Sequence, residues 1–203
     1  MNRKLIGALA LAWISTSVIA APQSQPLDFK TLVVGAPATA QQVEDALLIP
    51  CGVGLGTGNV TCTVSAKKYQ EMQRVKCGAG GNGMQICNGT TTIADQLTMV
   101  NLVIGTDGTI QRIHLTFIDL SYDDVHQALV AKFGAAQKVS HPTLQNGFGA
   151  TFLQEESLWA GAKGAQLLLQ KYAGDVDHSD AYFSTQADRD LMTGASQAPS
   201  TDL

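Results

Sequence analysis

The sequence predicts an α+β protein: an antiparallel sheet covered by helices and assembled from two helix–hairpin repeats. Three observations predict it. Residues 97–134 run as strand, Asp107-Gly108 turn, strand and amphipathic helix. The opening pattern of that helix occurs once before, at 39–52, ahead of another strand-rich stretch. Beyond residue 149 the chain returns to short apolar runs separated by glycine turns, the mark of further antiparallel pairing. A sheet with one apolar face and helices with one apolar stripe bury each other.

The first twenty residues stand apart. Arg3 and Lys4 precede an apolar run over 5–13, and residues 18–20 offer a cleavage site. This is the layout of a secretory signal peptide, too short for a membrane span. Residues 21–38 form a leader that includes a short strand or extended arm at 29–34. The tandem domain is expected over 39–187. Repeat one covers 39–118 and carries an insert at 51–89; repeat two covers 121–187. Thr39 caps a helix bearing Val43, Ala46 and Leu47, which Pro50 stops. Inside the insert, two glycine-rich loops flank a short helix at 66–76. Neither loop follows an apolar strand or ends in Gly-Lys-Ser/Thr, so neither is a phosphate cradle.

Strands follow at 90–94, 97–104 and 110–118. In the second, Val100, Leu102 and Ile104 share a face. In the third, Ile113, Leu115 and Phe117 point one way and Arg112, His114 and Thr116 the other. Asp-Gly between two such runs specifies a tight hairpin. Ser121 then opens a helix with Asp123 and Asp124 in its first turn, where the helix dipole favours them. Its stripe is Val125, Ala128, Leu129 and Phe133, and Gly134 terminates it. A polar loop at 141–149 leads to strands at 150–159, 165–172 and 181–186. The polar tail, 188–203, is expected to be disordered.

Cys51, Cys62, Cys77 and Cys87 all follow the leader, and an even count in an exported chain predicts two disulfides. Of the three pairings, Cys51–Cys62 with Cys77–Cys87 is favoured, because both loops are short and contain glycine. No pair has CxxC spacing and no histidine lies among them, so neither a zinc site nor a redox thiol is indicated. The formal charge of −4 comes without any basic cluster, which argues against nucleic acid or an anionic membrane as partner.

The repeat itself is readable residue by residue. Thr39 recurs as Ser121, Val43 as Val125, Ala46-Leu47 as Ala128-Leu129 and Gly52 as Gly134, all at one spacing. This helix-then-hairpin order, twice over, resembles tandem modules of the β-lactamase inhibitor protein type and the SmpA/OmlA outer-membrane-assembly proteins. Thr39, Gln42 and Val43, and again Ser121, Asp124 and Val125, fit the family's T-x-x-[QE]-V opening. Phe133-Gly134-Ala135-Ala136 stands in place of L-G-x-P. The glycine comes about a turn late, the proline is absent, no cysteine waits to be lipidated, and the cysteine-bearing insert is extra. The resemblance implies a sheet whose exposed face or loops bind partners, and it assigns no residue a role.

Candidate site residues are few. Arg112 and His114 share the polar face of the 110–118 strand, and Trp159 beside a glycine-rich turn suits an exposed anchor for a protein partner. The run from Asp175 to Asp180 imitates a calcium loop, but Asp180 occupies the glycine position and Gln186 the bidentate glutamate position. Aspartates capping backbone amides explain the run better. Asn59 and Asn88 begin glycosylation sequons. No G-x-S-x-G or H-E-x-x-H frames a nucleophile or metal. The expectation is therefore a periplasmic or secreted protein-binding module. It would have no catalytic residue, metal or cofactor, no nucleic-acid partner, and no membrane span once its leader is removed. The alternatives are a hydrolase using His114 or His178, and a structural envelope component.

Overall fold

The structure, a computed structural model, describes residues 25–49, 68, 71–72, 74–145 and 147–197. Its first half contains β1 (Asp28–Phe29), β2 (Leu32–Val33), α1 (Ala40–Ala46), β3 (Lys76–Ala79), β4 (Gln85–Ile93), β5 (Gln96–Ile104) and β6 (Ile110–Ile118). The second contains α2 (Tyr122–Phe133), β7 (Lys138–Ser140), β8 (Thr143–Gln145), β9 (Thr151–Leu153), β10 (Glu156–Ala160), β11 (Gln166–Gln170), β12 (His178–Ser184) and α3 (Gln186–Gln197). Eight strands form one antiparallel sheet in the order β3-β4-β5-β6-β12-β11-β10-β7. The pairs β1–β2 and β8–β9 are separate hairpins.

The alternation over 97–118 becomes the two faces of this sheet. Val100, Leu102 and Ile104 join Ile113, Leu115 and Phe117 in one buried cluster, together with Val43 and Leu47 from α1 and its cap and Tyr122, Val125, Leu129 and Phe133 from α2. Ala128 is exposed instead. The β5–β6 turn closes through Asp107, whose Oδ1 accepts from the Thr109 amide (3.0 Å) and hydroxyl (2.8 Å). Those bonds hold its carboxyl below the ordinary aspartate range. Between β4 and β5 the chain turns at Ala94-Asp95, both at positive φ, a hairpin that lacks the glycine a sequence reader looks for.

The two helix starts differ. Thr39 makes a full capping box: its Oγ1 accepts from the Gln42 amide (3.2 Å) and Gln42 Oε1 accepts from the Thr39 amide (2.8 Å). Ser121 makes no such bond. It is buried in the 3-10 turn leading into α2, so the acidic first turn stands without a side-chain cap.

Three expectations are corrected. The run at 150–159 is two strands, β9 pairing with β8 and β10 with β7, and the Gln154 amide bridges the two pairings by donating to Pro142 O (2.9 Å) in the same register. The first part folds back on β8, and only β10 joins the main sheet. The last strand begins at His178 and ends at Ser184. The tail is helical as far as Gln197: Thr185 Oγ1 accepts from the Asp188 amide, and Arg189 donates to Ser184 O and Gly164 O. Of the expected 66–76 helix, Lys68, Glu71 and Met72 are described and helical, while Lys76 already belongs to β3. Residues 1–24, which include the signal-like segment, residues 198–203, and Cys51 and Cys62 lie outside the described residues. Cys77 and Cys87 form the expected disulfide. No helix among the described residues is long and apolar enough to cross a membrane.

Gly89 shows how tightly the β3 side is drawn in. A Cβ there would lie 2.6 Å from Val75 Cα and 2.8 Å from its nitrogen, both backbone atoms. Gly89→Ala is expected to cost about 1–3 kcal/mol by pushing the segment before β3 off the sheet. Urea unfolding gives the loss, and hydrogen exchange should place the loosening at 74–79. An unchanged midpoint would contradict the packing.

Candidate functional site

Where β6 and β12 pair at the middle of the sheet, the residues between the core positions project to the opposite face. There His114 faces Tyr182 and Thr116 faces Asp180 across the two strands. The imidazole stacks on the phenol ring, with centroids 3.9 Å apart and planes 10° from parallel. Its Nε2 lies 2.9 Å from Asp180 Oδ2 and 3.2 Å from Thr116 Oγ1. Burial, and then the Asp180 carboxylate beside it, push the Tyr182 hydroxyl up to about 12. The Asp180 side chain is 10% exposed, and its Oδ1 has no hydrogen-bond partner among the described residues.

The polar pattern spreads both ways from this centre. Asn101 donates to Asn88 Oδ1 at 2.7 Å, and Met99 stands exposed beside them. On the other side Gln170 donates to Glu156 Oε1 at 2.8 Å, and Ser140 donates to Glu156 Oε2 at 3.2 Å.

Two elements border this face. At one end is α3, where Asp188 Oδ2 lies 3.9 Å from Arg112 Nε. Burial raises the Asp188 carboxyl above its ordinary value against the opposing pull of Arg112 and Arg189. At the other end the β8–β9 hairpin borders an open cavity of about 600 Å³. Phe152 from the hairpin, Tyr172 from the following turn, and Gln170, Asp180 and Tyr182 from the sheet line it. The Phe152 and Tyr172 rings meet edge to face at 6.2 Å. At the hairpin's tip Phe148 is 100% exposed between Gly147 and Gly149.

Of the residues singled out in the sequence, Arg112 and His114 occupy this face. Trp159 does not. It is fully buried, and its indole Nε1 donates to Gly134 O at 2.8 Å. It therefore cannot serve as an exposed anchor, and Phe148 is the aromatic that has that exposure. The 175–180 run is a capped turn: Asp175 Oδ1 accepts from the Asp177 and His178 amides, each at 2.9 Å, and contacts His178 Nδ1. Among the described residues no group of three or more His, Cys, Asp or Glu is placed to hold a metal.

A strand at 181–186 leaves Asp180 outside it, whereas Tyr182 lies within it and reaches the site only through its register opposite His114. Asp180 and Thr116 both engage the same imidazole nitrogen, so abstraction of a substrate proton would fall to Nδ1 alone. No protein-family model, curated protein or solved structure matches the chain.

Proposed function

We propose that the chain is an exported binding module of the periplasm or extracellular space that holds a protein partner without catalysis. The partner would lie across the second face of the sheet, between α3 and the β8–β9 hairpin. The observation that carries this reading is the partly exposed polar and aromatic face of His114 and Tyr182, with Asp180 recessed within it and the fully exposed Phe148 at its border. Aromatic side chains presented on rigid strands are the usual energetic centres of protein interfaces. Export is supported by the signal-like leader and by the Cys77–Cys87 disulfide, which suits an oxidising compartment.

The chain order supports a tandem repeat. α1 precedes β3, β4, β5 and β6, and α2 precedes β7, β10, β11 and β12. Each set of four runs from an outer edge of the sheet to its centre. Such a duplication fits the resemblance to the β-lactamase inhibitor type.

Site-directed crosslinking tests the face. A photo-reactive residue in place of Met99 should give one dominant protein adduct in the native compartment, and Tyr182→Ala should abolish it. The same residue at Leu48, exposed just beyond α1, should give none. Equal adducts from both positions, or none from either, would overturn the reading. The His114–Asp180 pair keeps a hydrolase as the second reading. Turnover on a substrate panel that disappears in His114→Ala would favour it.

A further inference from the structure

We propose that the cavity beneath the β8–β9 hairpin receives a cationic group, an alkylammonium or guanidinium, which is bound by Asp180 between aromatic walls. The inference deepens the binding reading by naming the guest's chemistry, and it is tested independently of the crosslinking. Five observations carry it. The volume, about 600 Å³, is that of a site for a small molecule or an inserted side chain with its neighbours. Asp180 lines the cavity with its side chain nine-tenths buried, and its Oδ1 lacks a hydrogen-bond partner among the described residues. A buried carboxylate oxygen left in that condition is costly, and a donor brought by a ligand relieves the cost.

The walls agree with that chemistry. Phe152 and Tyr182 supply aromatic surface, which attracts cations electrostatically, and the ring of Tyr172 already holds the chain's own Lys171 Nζ 5.4 Å from its centroid. Gln145, Gln154 and Gln170 add amide groups whose oxygens can accept from an ammonium or guanidinium. The charged lining residues are Asp175 and Asp180, with no lysine or arginine among them. A neutral guest would offer Oδ1 a weaker bond than a charged donor does.

Nuclear magnetic resonance titration of the oxidised chain without its first twenty residues tests this. The probes are 1,5-diaminopentane, a glycine-flanked lysine peptide and its arginine counterpart. The neutral control is the same peptide with norleucine, which keeps the hydrocarbon stem and lacks the ammonium. Saturable shifts confined to 143–153 and 170–182 are expected with the cations and not with norleucine. Asp180→Asn should weaken binding at least about tenfold, as expected for loss of a charged hydrogen bond. Phe152→Ala gives a second handle if Asp180→Asn does not fold, and it should weaken the same titration. Tighter binding of a peptide than of the diamine assigns the guest to a partner's side chain; the reverse assigns it to a free amine.

Equal binding of norleucine, no saturable shift with any cation, or affinity unchanged in the folded variants would overturn the inference. A Met99 adduct that persists in Asp180→Asn alongside a failed titration would remove this inference and leave the partner-binding reading standing.

Discussion

Trp159→Ala is expected to lower the stability of the chain by about 3–5 kcal/mol, the range for emptying a buried tryptophan site. The indole is fully buried, and the core position it fills lies against the end of α2. Its ring centroid is 6.1 Å from that of His126, and its Nε1 satisfies the carbonyl of Gly134, the residue that terminates the helix. Truncation leaves a cavity and also removes the donor from that carbonyl. Trp159→Phe separates the two effects, because it keeps most of the volume and loses only the bond, at about 1–2 kcal/mol. Denaturant unfolding followed by circular dichroism measures both. A cost below about 1 kcal/mol for the alanine variant would mean that the indole is not packed as described. Because Trp159 faces the core, Trp159→Phe should leave the Met99 crosslink intact, which an anchor residue would not.

The second large effect is expected at the disulfide. Cys77 of β3 and Cys87 of β4 are directly paired, with Cα atoms 3.9 Å apart and ten positions apart in sequence. Closing so short a loop restricts the unfolded chain by about 2–3 kcal/mol on the loop-entropy account. The native strand is otherwise held by its four-residue ladder to β4 and by the packing of Val75 just before it. It is four residues long and mostly exposed, with a further bond from the Cys77 amide to Glu44 Oε1 at 3.1 Å. The double variant Cys77→Ala/Cys87→Ala should therefore lose about 2–3 kcal/mol in urea. Faster amide exchange should appear along Lys76–Ala79 and at the α1 contact. Full retention of stability would show that β3 is held by its ladder alone.

How much of this was legible in the sequence depends on the range of the interaction that decides each element. Strict alternation over 110–118 placed Ile113, Leu115 and Phe117 in the core, because a half-buried strand writes its faces into adjacent residues. The capping box at Thr39 is likewise a matter of three neighbouring residues. Trp159 misled because its strand breaks the rule locally. Ser157 and Trp159 are the buried pair and Leu158 is only half-buried on the other face, so the polar serine disguises the core side. The helix at Gln186–Gln197 depends on Arg189 reaching Gly164 and Asp188 facing Arg112, contacts that no local window contains. The candidate site divides in the same way. His114 and Arg112 were visible as a polar face, whereas the pairing of His114 with Asp180 and Tyr182 is a product of sheet register.

The order of strands also bears on how the chain avoids its own copies. An open antiparallel sheet ends in two rows of unpaired backbone groups, which invite a second chain to add a strand. Among the described residues those rows belong to β3 and β7, only four and three residues long, each carrying an exposed lysine, Lys76 and Lys138. Both ends are therefore blunt and charged. Releasing β3 would change one of them sharply, since the next edge is the nine-residue β4. Loss of the Cys77–Cys87 bond is therefore expected to favour association of copies as well as local fraying, by leaving the longer strand at the edge of the sheet.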